Sequence, residues 1–265
     1  MLKQPLSVLN MRKLMLLSII TLVLVSCQND KYHKISGKVT DFNGHPLDSV
    51  TIRLKNKAFE NMYETLSDEE GNYELTVKED DYYCLYAIKL SEYRVNKLEY
   101  WTWNVPVYKD IIINPQYDRL EIYGINVFEP QVTPQETYMV YIRPMSLTKT
   151  LQFASEQKLN TEAFKSAKQA EELLNHSDKL INISPDRVFS EELEININGI
   201  KSEVLEIHKI TEYARGFKMN GFIIQILKPD DSQNTDLKYD FISVKLHSKE
   251  LNEIGKGEAF VRRIK

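Results

Sequence analysis

Ile35-Ser36-Gly37-Lys38-Val39-Thr40-Asp41, then Asn43-Gly44-His45-Pro46-Leu47, then Val50-Thr51-Ile52, is the stretch on which the fold turns. Its first five residues alternate apolar with polar, the two-residue period of a half-buried strand. Asn43-Gly44 with His45-Pro46 behind it signals a turn. Val50, Ile52 and Leu54 then alternate with Thr51, Arg53 and Lys55. A second turn at Glu69-Glu70-Gly71-Asn72 leads into Tyr73, Leu75 and Val77, which alternate with Glu74 and Thr76. Tyr82 to Leu90 is apolar on both faces, as a central strand must be. Short strands with turn signals between them predict a sandwich or barrel.

With Thr65-Leu66-Ser67-Asp68-Glu69-Glu70-Gly71-Asn72-Tyr73 added, these residues carry a GxV-D-xGxPL-x-V opening and a TxxGxY-type hairpin, in that order. They resemble the carboxypeptidase regulatory-like domain. The resemblance covers residues 35–113 and implies a small transthyretin-like β-sandwich over 35–114. That domain is an accessory on peptidases, receptors and envelope proteins, so it implies a fold and no activity. The pattern departs from the family after Leu90, where Glu99-Tyr100-Trp101-Thr102-Trp103 forms an aromatic insert before Asp110-Ile111-Ile112-Ile113.

Working outward, Asn114-Pro115 marks a domain boundary. Leu120 to Val127 and Tyr138 to Arg143 read as partner strands around a loop bracketed by Pro130 and Pro134. Residues 156–175 break the β rhythm and predict one amphipathic helix, capped by Thr161. Leu193, Ile195 and Ile197 alternate again, and Asn198-Gly199 predicts a type I′ hairpin into a strand from Ile200 to Ile210. Phe222 to Leu227, Ile242 to Leu246 and Ala259 to Ile264 complete a second, immunoglobulin-like sandwich over 115–265. The expected fold is therefore mainly β: two β-sandwich domains, with one helix inserted in the second.

The amino terminus supplies a different signal. Met11-Arg12-Lys13 precedes an apolar run from Leu14 to Val25, and Leu24-Val25-Ser26-Cys27 follows. The order is that of an export signal, and the run is too short to span a membrane. The last four residues resemble the lipobox of bacterial lipoproteins. The resemblance implies cleavage before Cys27 and lipidation of its thiol, with residues 1–26 as signal peptide and 27–34 as tether. Met1 and Met11 both remain open as the start. Three acyl chains would anchor the protein stably to membrane lipid. Gln28 lacks the Asp that holds enteric lipoproteins at the inner membrane, so an outer-membrane location is expected, on the periplasmic or cell-surface side.

Composition narrows the functions. Loss of Lys3, Arg12 and Lys13 leaves 31 basic residues against 38 acidic ones, a net −7 with no basic run. Such a chain is not built to neutralise nucleic-acid phosphates. With Cys27 lipidated, Cys84 stands alone in an apolar strand and reads as a small buried hydrophobe. His33, His45, His176, His208 and His247 have no zinc-motif spacing, and Asp231, Asn234 and Asp236 do not match a calcium loop. No nucleophile elbow, phosphate loop or dinucleotide fingerprint is present. No catalytic residue, metal or cofactor is expected.

Aromatic residues are the surplus: 15 Tyr, with Trp101 and Trp103 flanked by Tyr100 and Tyr108. Two indoles two residues apart face the same way on a strand. They either stack on sugar rings, anchor a protein interface, or cover the joint between the sandwiches. The expectation is a non-enzymatic envelope lipoprotein that binds an outer-membrane protein partner, with exposed sheet edges suited to strand addition. A glycan-binding lipoprotein using Trp101 and Trp103 is the alternative, and an enzyme of unrecognised type is the third reading.

Overall fold

The alternating segments do form strands. The structure, a computed structural model, describes residues 30–131, 134–156, 182–214, 217–229 and 238–263. Strands make up 59% of the described residues and helix 6%, so the protein is mainly β. In chain order the strands are β1 (Tyr32–Lys38), β2 (Thr51–Lys55), β3 (Asn61–Leu66), β4 (Asn72–Lys78), β5 (Asp80–Ile88), β6 (Tyr100–Val107), β7 (Ile111–Ile112), β8 (Leu120–Phe128) and β9 (Thr137–Ser146). After a helix α1 (Leu147–Glu156) come β10 (Leu193–Ile197), β11 (Ile200–Lys201), β12 (Val204–Ala214), β13 (Phe217–Leu227), β14 (Tyr239–Ser248) and β15 (Glu253–Arg262).

Among the described residues three sheets form: β4-β1-β7, β12-β13-β9-β8, and a long sheet in the order β11-β10-β14-β15-β6-β5-β2-β3. The expected boundary at 114–115 is not a sheet boundary. β15 pairs in parallel with β6, Gly257 opposite Trp101 and Ala259 opposite Trp103, so the long sheet runs unbroken from one half of the sequence to the other. His33–Lys265 forms one compact unit accordingly.

Glycines set how the four-stranded sheet meets the long one. Gly255 and Gly257 lie on the same face of β15, and β8 rests on them: a Cβ on Gly255 would sit 1.9 Å from the Leu120 carbonyl oxygen. Lys256 and Glu258 alternate with these glycines and face the other way. There Glu258 accepts the Tyr100 hydroxyl and pairs with Lys256 at 2.7 Å. On that same face Lys256 donates to the Asn114 carbonyl, two residues past β7, at 3.3 Å, which places the three-stranded sheet on that second face. The two small sheets thus cover opposite faces of one shared sheet. One continuous apolar core joins them, from Ile35 and Val77 through Leu85 and Ile122 to Ile195 and Val244.

The turns obey the sequence. Asn198 and Gly199 both take positive φ, 53° and 84°, as a type I′ hairpin requires. The strand after it does not run from Ile200 to Ile210 as expected. It stops at Lys201 and restarts as β12 in another sheet. Ser202 makes the change of sheet: its amide donates to the Ile195 carbonyl and its hydroxyl to that of Leu227, at 2.8 and 2.5 Å. The expected helix at 156–175 lies, beyond Glu156, outside the described residues. The described helix α1 instead follows Ser146, whose Oγ accepts the Lys149 amide at 3.1 Å as an N-cap does.

Candidate functional site

The aromatic insert is itself a strand, β6, in the middle of the long sheet. It pairs with β5 on one side and β15 on the other, and this decides what its side chains can do. Trp101 and Trp103 face β8. Each is only 5% exposed. Their rings stack on one another, 5.4 Å apart at 19°. Tyr123 of β8 meets both edge-on at 5.5 and 5.0 Å. Tyr86 of β5 meets Trp101 at 5.0 Å, and Tyr83 meets Trp103 at 5.5 Å. Phe59, in the β2–β3 loop, closes the cluster over Tyr83 and Trp101. The indoles fill the joint between two sheets, and neither is a surface platform on which a sugar ring can stack.

Two carboxyls extend this row. Trp101 donates its indole N–H to Glu121 of β8 at 2.7 Å. Glu121 and Glu99 are both buried. Burial, and then the neighbouring Glu99 charge, hold the Glu121 carboxyl well above the usual carboxylate range. Glu99 is raised by burial too, against the pull of Arg94 and a hydrogen bond with Tyr93. Two like charges cannot share a dry site without keeping a proton. The pair is sealed from water, so it ties β6 to β8 and offers no acid or base to a substrate. Nothing in the spacing of Glu99 and Glu121 in the sequence singles out this pair from the other acidic residues; only the fold brings β6 and β8 together.

The other candidates are dispersed. His208 lies on β12 and His247 on β14, in different sheets. His33 and His45 each hydrogen-bond a carboxylate, Glu79 and Asp41, at 2.9 Å. Among the described residues no group of three His, Cys, Asp or Glu is placed to hold a metal ion. Cys84 is fully buried beneath the cluster, and burial pushes its thiol up to about 12, so it is an inert hydrophobe in this position. Cys27, His176, Asp231, Asn234 and Asp236 lie outside the described residues.

Two features of the described surface bear on binding. Beside the tryptophan row, a cleft of about 470 Å³ is lined by Tyr83 and Asp81 of β5, Asn104 of β6, Tyr239 and Arg262 of β14 and β15, and Lys57. Sequence reasoning missed it, because its residues come from six separate segments. The second feature is β12, eleven residues long, which ends the four-stranded sheet and pairs only with β13 among the described residues.

No family model and no curated protein matches this chain. Among solved structures it is similar to a DUF3823 family protein from Parabacteroides merdae, at 8% identity over 88% of this chain and 100% of that one, with a TM-score of 0.25. It is also similar to BcpA, the major pilin subunit of Bacillus cereus (12% identity, 88% and 69% covered, TM-score 0.25). The major pilin SpaA of Corynebacterium diphtheriae follows at 6% identity, 80% and 62% covered, and a TM-score of 0.23. Superpositions this loose transfer no residue of those proteins onto this chain.

Proposed function

We propose that this chain is a lipid-anchored protein of the bacterial envelope that binds a protein partner and catalyses no reaction. The lipobox-like Leu24-Val25-Ser26-Cys27 supports the anchor, and Gln28 after it supports the outer membrane. The regulatory-like motifs of residues 35–113 support an accessory role for the body.

One observation carries the binding half of this reading: the edge strand β12. Long open edges present a row of backbone donors and acceptors, and proteins ordinarily shorten or cover them. Here the edge runs for eleven residues, from Val204 to Ala214, and Leu205 on it is 39% exposed. A partner strand adding to this edge would gain main-chain hydrogen bonds along its length.

Two experiments test the two halves. Cys27→Ala should abolish incorporation of radiolabelled palmitate and leave an unprocessed or soluble product; equal labelling of both chains refutes the anchor. A photo-crosslinking amino acid at His208, in intact cells, should capture one envelope protein, whereas the same probe at Glu69 should not. Proline at the outward-facing amides of β12 should abolish that capture, since proline has no N–H to give. Capture that survives these prolines refutes strand addition.

A further inference from the structure

The cleft beside the tryptophan row has walls that recognise a particular chemistry. It opens where β6 and β15 part: their pairing runs only from Gly257 opposite Trp101 to Ala259 opposite Trp103, and Asn104 and residues 260–262, beyond its end, line the cleft. Besides the apolar Val127, Ala259, Phe260 and Val261, the side chains at the cleft are of three kinds. Tyr83 and Tyr239 supply partly exposed rings, and Tyr83 is held in place edge-on against Trp103 and Phe59 at 5.5 and 5.4 Å. Asp81 and Asn104 supply exposed polar groups. Tyr108 donates to one oxygen of Asp81 at 2.9 Å and Tyr239 reaches the other at 3.5 Å, so this carboxylate is fixed before any ligand arrives. Asn104 sits at φ 56°, a left-handed conformation that asparagine tolerates better than most residues and that projects it from the run of β6.

The third kind is cationic. Lys57 and Arg262 are exposed at the cleft, and among the described residues neither forms an ion pair. On a chain with an acidic excess, two cations without carboxylate partners around one concavity call for an anion. Rings with polar rims, a fixed carboxylate and a free amide match the faces of a pyranose: its C–H face lies on an aromatic ring, and its hydroxyls bond to Asp and Asn. A volume of about 470 Å³ falls in the range of small-molecule sites and is too small for a folded partner.

We propose that this cleft binds the end of an acidic saccharide. Tyr83 stacks on a sugar ring, Asp81 and Asn104 hydrogen-bond its hydroxyls, and Lys57 with Arg262 attracts its acid group. The site is separate from the β12 edge and needs no change in the buried indoles.

The test is calorimetric titration of the full chain in mild detergent with tri-galacturonate, 3′-sialyllactose and a chondroitin sulfate tetrasaccharide, each beside a neutral oligosaccharide of equal length. At least one acidic probe should bind ten times more tightly than its neutral counterpart, and which one binds separates carboxylate from sulfate recognition. Arg262→Ala with Lys57→Ala should lower that affinity at least tenfold and flatten its salt dependence. Both residues are exposed, so the double variant should unfold at the wild-type temperature. Tyr83→Ala should abolish binding and Tyr83→Phe should keep it. Failure of all three acidic probes, or wild-type affinity in the double variant, overturns the proposal.

Discussion

Gly255→Ala probes the contact that joins the two halves of this protein. The added methyl would lie 1.9 Å from the Leu120 carbonyl oxygen and 2.6 Å from its carbon. Ordinary contact begins near 3.4 Å, so β8 would have to retreat from β15 by about 1.5 Å. The obstacle is backbone on both sides, and no rotamer change relieves it. Gaps of 0.5–1 Å already forfeit about a quarter to a half of a dispersion contact. Leu120 and Ile122, both essentially buried, would lose packing as the sheets part. Overpacking of a core costs about 1–3 kcal/mol. The lower entropy of the unfolded chain returns about 0.4–1 kcal/mol. With no flexible side chain to yield, the cost lies at the upper end and we expect a net loss of about 2 kcal/mol. Gly257→Ala meets Ile122 less severely, at 2.6 Å, and should cost less. Gly44→Ala, at φ +86° in open space, serves as the control for strain alone and should cost about 1 kcal/mol. Urea denaturation of the three variants, followed by fluorescence of the buried indoles, reads these losses. A Gly255→Ala loss under about 0.5 kcal/mol, or a larger loss at Gly257 than at Gly255, would refute the direct seating of β8 on β15.

Three further outcomes follow from the buried charges and rings. Glu121→Gln keeps an acceptor for the Trp101 indole and removes one of two confined carboxyls. Because the native carboxyl is raised, its folded form holds the proton more tightly than the unfolded one, and stability is lost as pH rises above the ordinary carboxyl range. The variant should therefore be more stable than wild type by about 1–3 kcal/mol at pH 8, with a flatter pH profile; identical slopes in thermal melts from pH 5 to 9 would count against it. Asp240 has the opposite sign. Its burial raises it, but hydrogen bonds from Arg263, Tyr138 and Asn198 outweigh burial and leave it lowered. Its contribution is present above the ordinary carboxyl range and lost as pH falls through the depressed value. Asp240→Asn should cost about 2–4 kcal/mol at pH 7 and lose the acid limb of the profile, as acid titration by circular dichroism would show. Trp103→Ala should destabilise by about 3–5 kcal/mol, since it empties a packed aromatic joint; a neutral effect in denaturant would mean the indole is not packed.

Much of the fold is legible along the chain. Alternation at Ile35, Val50, Tyr73, Leu193 and Ile242 marks strands that exist, because a half-buried strand writes its two faces into consecutive residues. Asn43-Gly44, Glu70-Gly71 and Asn198-Gly199 mark turns whose glycines take the positive φ that other residues resist. The less legible elements fail for local reasons. β6 reads as an insert, since a strand buried on both faces loses its alternation. The break at Ser202 carries no Gly or Pro, and its cause is two hydrogen bonds to residues far along the chain. The N-cap of α1 rests on a single serine at the end of β9, which strand periodicity overrides.

The candidate site divides the same way. That Trp101 and Trp103 share a face follows from their spacing, a property of any strand. Whether that face meets water or another sheet depends on the glycines of β15, more than 150 residues away, which let β8 lie flat over β6 and β15. The chain by itself determines the β class, the turns and the lipobox-like Cys27, because each is written in neighbours a few residues apart. The tertiary structure alone decides that the two halves share one sheet, that Glu99 and Glu121 confine a proton, and that Lys57, Asp81, Tyr83, Asn104 and Arg262 surround one cleft. Those are relations between distant residues, and the pairing of β6 with β15 that creates them leaves no local mark in either strand.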